Sequence, residues 1–263
     1  MSNLKMSEGV HVADPVFDLK SLSEEAGRSY RVPGFTGFPK SQGGVALDLG
    51  LNVGAFPLSY ATQFQQIVAV EASSRCIDIA TANLASAGVE NVRILHRALG
   101  AESGKNVELR RVYVGETYES KDFSTALVSN HDLDQTDYPG RFGEVEEVVQ
   151  SIDWFDLVAD IGAERIAFLK CDIEGSEFDL LAGADLSMVD CLVLELHYTF
   201  LGRDRSETLI GHLNRTHRLL GMRESRHVRR RTWPPPSILW LANRRMSTLR
   251  SSMLSLLSSI LGR

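Results

Sequence analysis

Apolar residues along most of this chain fall into short runs, and stretches of helical periodicity separate the runs. Val45–Leu49, Ile67–Glu71, Val92–His96, Ile166–Asp172 and Cys191–His197 are compact apolar runs of strand length. Between them, Ala55–Gln65, Ser74–Ala87 and Ser176–Ala182 place apolar residues at helical spacing, with Gly88 and Gly183 just past two of the ends. Ser151–Ile161 reads as a further helix, whereas Lys105–Val114 and residues 120–150 carry no regular period. Strands alternating with helices predict an α/β fold built on a mostly parallel, doubly wound sheet. The rhythm changes after residue 205: residues 206–220 read as a helix, followed by strand-like Met222–Arg230 and Ser237–Ala242. The Trp233-Pro234-Pro235-Pro236 turn between those two runs predicts a C-terminal antiparallel hairpin.

Residues 1–43, polar and punctuated by Pro15, Pro33 and Pro39, read as an N-terminal arm. Residues 44–243 form the expected domain, and residues 244–263 a basic amphipathic tail.

The chemistry gathers where apolar runs end. Val45-Ala46-Leu47-Asp48-Leu49-Gly50-Leu51-Asn52-Val53-Gly54 delivers an acid and two glycines from a strand into a turn. Gly50 and Gly54 allow a ligand to approach the main chain. Asn52 stands where a dinucleotide-binding G-x-G-x-x-G loop needs its second glycine, which disfavours a nicotinamide-dependent oxidoreductase. Asp48 suits a ligand carrying an amine, such as S-adenosylmethionine, or braces the glycine loop. Glu71 closes the next strand and can accept from both hydroxyls of a ribose, because a carboxylate is acceptor-only. His96-Arg97-Ala98, at the third strand's end, is the expected neighbourhood of an adenine contact.

The second block is Lys170-Cys171-Asp172-Ile173-Glu174-Gly175-Ser176-Glu177. Three acids around one glycine exceed what a strand-to-helix junction needs. Their mutual repulsion calls for a cation, a proton or hydrogen-bond donors. Glu177 also fits a helix first turn, where negative charge is favourable. Asp172, Glu174 and His197 are the catalytic candidates, since a hydroxyl acceptor needs a general base or a metal. His197 follows Glu195 by two and shares its face if the strand reaches that far. A magnesium or manganese ion on Asp172 with Glu174 or Glu195 remains open, as does metal dependence altogether. Ser124 and Thr125 are either substrate contacts or plain loop residues.

These segments resemble the FkbM-type family of S-adenosylmethionine-dependent methyltransferases, whose members show D-x-G-x-N-x-G, an acid ending the second strand, and K-x-D-x-E-G-x-E. The matching residues are Asp48 to Gly54, Glu71 and Lys170 to Glu177, with Val149–Asp153 and Leu194–His197 as weaker matches. The likeness covers roughly residues 44–200 and departs from the pattern at Leu51, Pro57 and residues 103–147. It implies a class I methyltransferase (Rossmann-like) fold and S-adenosyl-L-methionine bound by Asp48, Gly50, Asn52, Gly54, Glu71 and Ala98. It also implies O-methylation of a sugar, glycan or secondary-metabolite hydroxyl. A catalytically silent S-adenosylmethionine-binding or scaffold protein is the alternative.

Charge divides the chain. The net charge is −6, yet no acid follows Glu224 while eight arginines do, so residues 1–225 carry −14 (−6 minus 8). An acidic body disfavours nucleic acid as a partner. The tail's Met246, Leu249, Met253, Leu254, Leu257 and Leu261 recur near helical spacing, beside Arg244, Arg245 and Arg250. That pattern suits docking on a partner, on a second subunit or on the domain itself, or lying on an anionic membrane surface. Cys76, Cys171 and Cys191 form no metal-finger or disulfide framework. With no secretory signal and no membrane-length apolar run, a cytoplasmic location is expected, membrane-peripheral if the tail binds lipid.

Overall fold

A computed structural model describes residues 44–113, 126–128, 141–224 and 237–245. The N-terminal arm, Ser124, Thr125, the proline turn and the tail beyond Arg245 lie outside the described residues.

The chain begins with β1 (Val45–Leu49), α1 (Ala55–Tyr60), β2 (Gln66–Glu71), α2 (Ser74–Ser86) and β3 (Val92–His96). After β4 (Ala98–Leu99), β5 (Asn106–Tyr113), β6 (Ala126–Val128) and β7 (Arg141–Ile152) come α3 (Trp154–Ile161) and β8 (Ile166–Cys171). The described chain closes with α4 (Glu177–Leu181), β9 (Val189–Leu196), α5 (Tyr198–Thr216), β10 (His217–Glu224) and β11 (Ser237–Asn243).

Seven strands form the main sheet in the order β10-β11-β9-β8-β1-β2-β3. The strands from β9 to β3 pair in parallel, while β11 runs antiparallel to both β9 and β10. The expected terminal hairpin is therefore present, with its second strand inserted between β9 and its first. Strand order reverses between β1 and β8, which places a crevice beyond the carboxyl ends of those two strands.

Alternation along each strand sends side chains to two cores. Leu47, Leu49, Val68, Val70, Leu169 and Leu192 pack on one face with Leu157, Leu181, Leu209 and Leu213 from three helices. Ala46, Ile67, Phe168, Val193 and Trp240 pack on the other with Phe56, Tyr60 and Phe64. The Phe56 and Phe168 rings stack there, their centroids 5.6 Å apart. Asp48 and Lys170 lie on this second face, one pleat beyond Ala46 and Phe168, and they face each other in register.

Three elements differ from the sequence reading. Lys105–Val114 and the end of the 120–150 stretch, which show no period, are β5 and β7 of a second sheet in the order β4-β7-β5-β6. Its alternation is hidden because Val145 and Val148 stay exposed while Val107, Leu109 and Val149 are buried. Ser151–Ile161 is not one helix: Ser151 and Ile152 pair with β4, and α3 starts at Trp154. Asp153 marks the start, accepting a hydrogen bond from the Asp156 amide at 2.9 Å. The helix expected over residues 206–220 begins at Tyr198, breaks at Gly202 (φ 70°) and yields to β10 from His217.

Candidate active site

The glycine loop leaves β1 in two left-handed steps, Gly50 (φ 84°) and Asn52 (φ 51°), before Gly54 opens α1. Gly50 is required for two reasons. Its φ is unfavourable for any residue with a Cβ, and such a Cβ would sit 1.9 Å from the Asp172 carbonyl oxygen. The ends of β1 and β8 are thus in backbone contact, and the Asp172 amide donates to the Leu49 carbonyl at 3.0 Å.

Glu71 is the anchor of this loop. One carboxylate oxygen accepts from the Asn52 amide at 2.8 Å, and the other accepts from the Ala72 and Ser73 amides at 3.0 and 2.9 Å. Glu71→Ala should therefore destabilise this loop, because three amides lose their acceptor, and a melting temperature equal to the parent's would contradict this.

Asp48 is fully buried, with Oδ1 3.2 Å from the Lys170 ammonium, and burial pushes its carboxyl up to about 6 against the pull of that cation. Asp48 Oδ2 and Asn52 Oδ1 are buried acceptors without a hydrogen-bond partner. Orphaned acceptors beside a glycine turn fit a ligand that presents donors, as the ammonium and ribose hydroxyls of S-adenosylmethionine do. Ala98 is buried in β4 against Val107 and Val149, and Ala72, the residue after Glu71, packs on the same cluster. Nearby, His96 Nε2 lies 2.9 Å from the Ala72 carbonyl and 3.1 Å from Glu147, whose second oxygen accepts from the Ser74 amide. The second sheet is thereby clasped to the turn that follows Glu71.

Asp172, Glu174 and His197 converge at the end of β8. His197 Nε2 lies 3.3 Å from Glu174 Oε2 and 3.8 Å from Asp172 Oδ1. Glu174 holds a left-handed conformation (φ 50°), an uncommon posture for a non-glycine residue and one that recurs at functional sites. β9 ends at Leu196, so His197 is not on the strand with Glu195 but opens α5. It is aimed instead by Glu177, which is fully buried. Glu177 Oε1 sits 2.6 Å from His197 Nδ1 and also accepts from the Gly175 amide at 3.1 Å.

Electrostatics follow from this crowding. Burial opposes a charged imidazole, but Glu174 and Glu177 outweigh it and raise His197 well above the ordinary histidine range. Burial likewise pushes Glu174 up to about 8, opposed by His197 and reinforced by Asp172, Glu195 and Glu177. At neutral pH the pair holds a proton between them. A divalent cation is the alternative occupant, since one ligand atom from each of Asp172, Glu174 and His197 lies within 4.8 Å of the others. Two carboxylates and an imidazole backed by Glu177 suit manganese or magnesium.

Two residues of this arrangement are not among the catalytic or donor-binding candidates of the sequence reading. Lys170 appears there only as a motif letter, although its place two before Asp172 on a strand puts both on one face. Glu177 fits the helix-charge expectation, yet its carboxylate turns back onto His197, a pairing across twenty residues that local spacing does not reveal.

The sequence model of the methyltransferase FkbM domain matches residues 48–224, a span that holds both motifs. No curated protein matches the chain. Among solved structures it is similar to an rRNA methylase from Streptococcus thermophilus (10% identity, 87% of this chain and 98% of that one, TM-score 0.43). It is also similar to a putative methyltransferase from Streptococcus mutans in complex with SAH (7% identity, 76% and 88%, TM-score 0.42). A third is M. capricolum TrmK in complex with the cofactor product S-adenosylhomocysteine (6% identity, 87% and 68%, TM-score 0.44). Likeness at this level carries no argument about the acceptor. Among the described residues no helix is long and apolar enough to cross a membrane. With more than half its length matched by that domain, and with the sheet order and the glycine loop in place, the chain belongs to the FkbM methyltransferase family and is an S-adenosylmethionine-dependent methyltransferase.

Proposed function

We propose that this enzyme methylates a hydroxyl oxygen of a sugar, glycan or secondary metabolite, with His197 as general base. The observation that carries this reading is the buried Glu177–His197 pair. Its outer nitrogen faces Asp172 and Glu174 at the sheet edge that also bears the donor loop. S-adenosylmethionine, when bound, supplies a methyl group on a sulfonium. Glu71, Asn52, Gly50 and Gly54 shape its seat, and Asp48 and Asn52 offer it acceptors.

The chain's own residues supply the rest. A sugar hydroxyl is too weak an acid to attack unaided, so its proton must leave as the new C–O bond forms. Glu177 fixes the His197 ring with Nδ1–H donated to its carboxylate, which leaves Nε2 as the proton acceptor. Asp172 and Glu174 hold the resulting imidazolium and can accept hydrogen bonds from the acceptor's hydroxyls. Alignment of oxygen, methyl and sulfur then contributes through proximity, with no covalent intermediate on the protein.

The acidic body, −14 over residues 1–225, favours an uncharged hydroxylated acceptor over a polyanion. In this reading residues 44–243 form the catalytic unit, because the main sheet runs from Val45 to Asn243. The basic tail is a docking segment. The test is methyl transfer from labelled donor to a panel of glycans, hydroxylated metabolites and RNA, with and without chelator. Labelling of a hydroxylated small acceptor is expected. Labelling confined to RNA would overturn the acceptor, and loss of activity on chelation would replace the base with a cation.

A further inference from the structure

Lys170 is a buried cation that neither the donor seat nor the base explains. It lies in the middle of the sheet on β8, 3% exposed, where an ammonium survives only if charge and hydrogen bonds compensate its desolvation. Four groups do so. Its ammonium donates to the Leu49 carbonyl at 3.3 Å and to the Gly50 carbonyl, pairs with Asp48 Oδ1 at 3.2 Å, and faces Asp172 Oδ2 at 3.9 Å. Burial works against its charge, but Asp48 and Asp172 raise it above the ordinary lysine range, so it stays protonated.

Those partners do not belong to one structural unit. Leu49, Gly50 and Asp48 form the mouth of the donor loop, whereas Asp172 belongs to the acceptor cluster with His197. The Leu49 and Gly50 carbonyls and Asp48 occupy the three donors of the ammonium, so Asp172, at 3.9 Å, is held by charge alone. Lys170 thus grips the carbonyl of the residue at which β1 turns left-handed, and it lies near Asp172, one of the three carboxylates around the base.

We infer that Lys170 is a positioning residue that locks the donor loop and Asp172 into one geometry, so that the donor seat and the acceptor cluster share a single cation. The inference rests on the reading of Asp172 as part of the acceptor cluster, while its donor half stands on loop geometry alone. Lysine suits the task because its compact ammonium can serve several oxygens at different angles, which a planar guanidinium cannot.

The test removes the cation without leaving Asp48 as an orphaned buried charge. Lys170→Met with Asp48→Asn replaces the ion pair by neutral groups of similar size, and Lys170→Gln with Asp48→Asn keeps a donor that can reach the Gly50 carbonyl. Affinity for S-adenosylhomocysteine, measured by calorimetry, reads the donor loop without any acceptor. Because both variants share Asp48→Asn, they are compared with each other: the methionine double variant should bind it about tenfold or more weakly than the glutamine double variant. On an acceptor found for the parent enzyme, kcat should fall about 100-fold in both, because Asp172 has lost its hold. A purely structural lysine would lower the melting temperature of both and leave the two variants equal in affinity and in kcat to Asp48→Asn alone. Folded double variants of equal affinity therefore overturn the inference, as would failure of both to fold, which assigns Lys170 to the core. Weakened S-adenosylhomocysteine binding with kcat unchanged would keep the donor half and refute the link to Asp172. Failure of the hydroxyl reading would show instead as no labelled acceptor in a parent enzyme that binds donor normally.

Discussion

Replacing His197 with glutamine should lower kcat by about 10²- to 10⁴-fold while donor affinity stays within a few-fold of the parent. Glutamine can still donate to Glu177, so the buried carboxylate keeps its partner and the start of α5 keeps its shape. What it cannot do is take up a proton from a hydroxyl. The split between kcat and donor affinity separates a base from a packing histidine, whose loss would disturb stability first. A variant that retains half of the parental kcat would remove His197 from the chemistry.

The same residue predicts a pH profile for the parent enzyme. The groups facing the imidazole are Glu174, Asp172 and Glu177, with Glu195 close enough to act on it and Lys170 beyond Asp172. His197 is raised well above its ordinary value and Glu174 is pushed to about 8. The catalytic form has an unprotonated Nε2, so the proton shared with Glu174 must leave first. Activity should accordingly rise with pH above neutrality, in a titration that belongs to the pair and not to either residue. A profile already flat from pH 6 upward would contradict this.

Gly50→Ala should be the most damaging single methyl added to the fold. The Cβ would meet the Asp172 carbonyl at 1.9 Å, a backbone atom that cannot step aside without separating β1 from β8. The left-handed φ of 84° adds its own strain. Together these should cost about 3 kcal/mol or more of stability, read from the denaturant midpoint. Donor binding should be lost with it, since Lys170 grips the carbonyl of this same residue. Alanine at Gly88 is the control: a Cβ there meets nothing within 4 Å, so only the milder cost of its positive φ should appear. Equal losses at the two positions would show that the contact with Asp172 is unimportant.

Much of the architecture was legible in the order of residues. The main-sheet runs from Val45 to His96 and from Ile166 to Leu196 are strongly apolar because both faces of a parallel sheet are covered, so their pattern hardly depends on what packs against them. The acids at 48, 71, 172 and 174 could be placed at the sheet edge for the same reason, since each closes or just follows such a run. The second sheet was not legible. Among the described residues, β7 leaves Val145 and Val148 in solvent while Val149 is buried, so its apolar residues do not mark one inner face. The end of β9 was also one residue short of expectation, which moved His197 from a strand face to a helix start.

By itself, then, the sequence determined the alternation of elements, the glycine loop and the inventory of carboxylates, because these follow from local stereochemistry and from periods of two and 3.6 residues. Partnership was decided only in three dimensions. Asp48 and Lys170 are more than a hundred residues apart in the chain and meet because β1 and β8 are neighbours where strand order reverses. Glu177 meets His197 because Gly175, with no Cβ to strike Phe200 at 2.8 Å, lets the turn before α4 pack against the start of α5. Which acid neutralises which base depends on distances of a few ångströms set by strand register, and neither composition nor spacing encodes them in readable form.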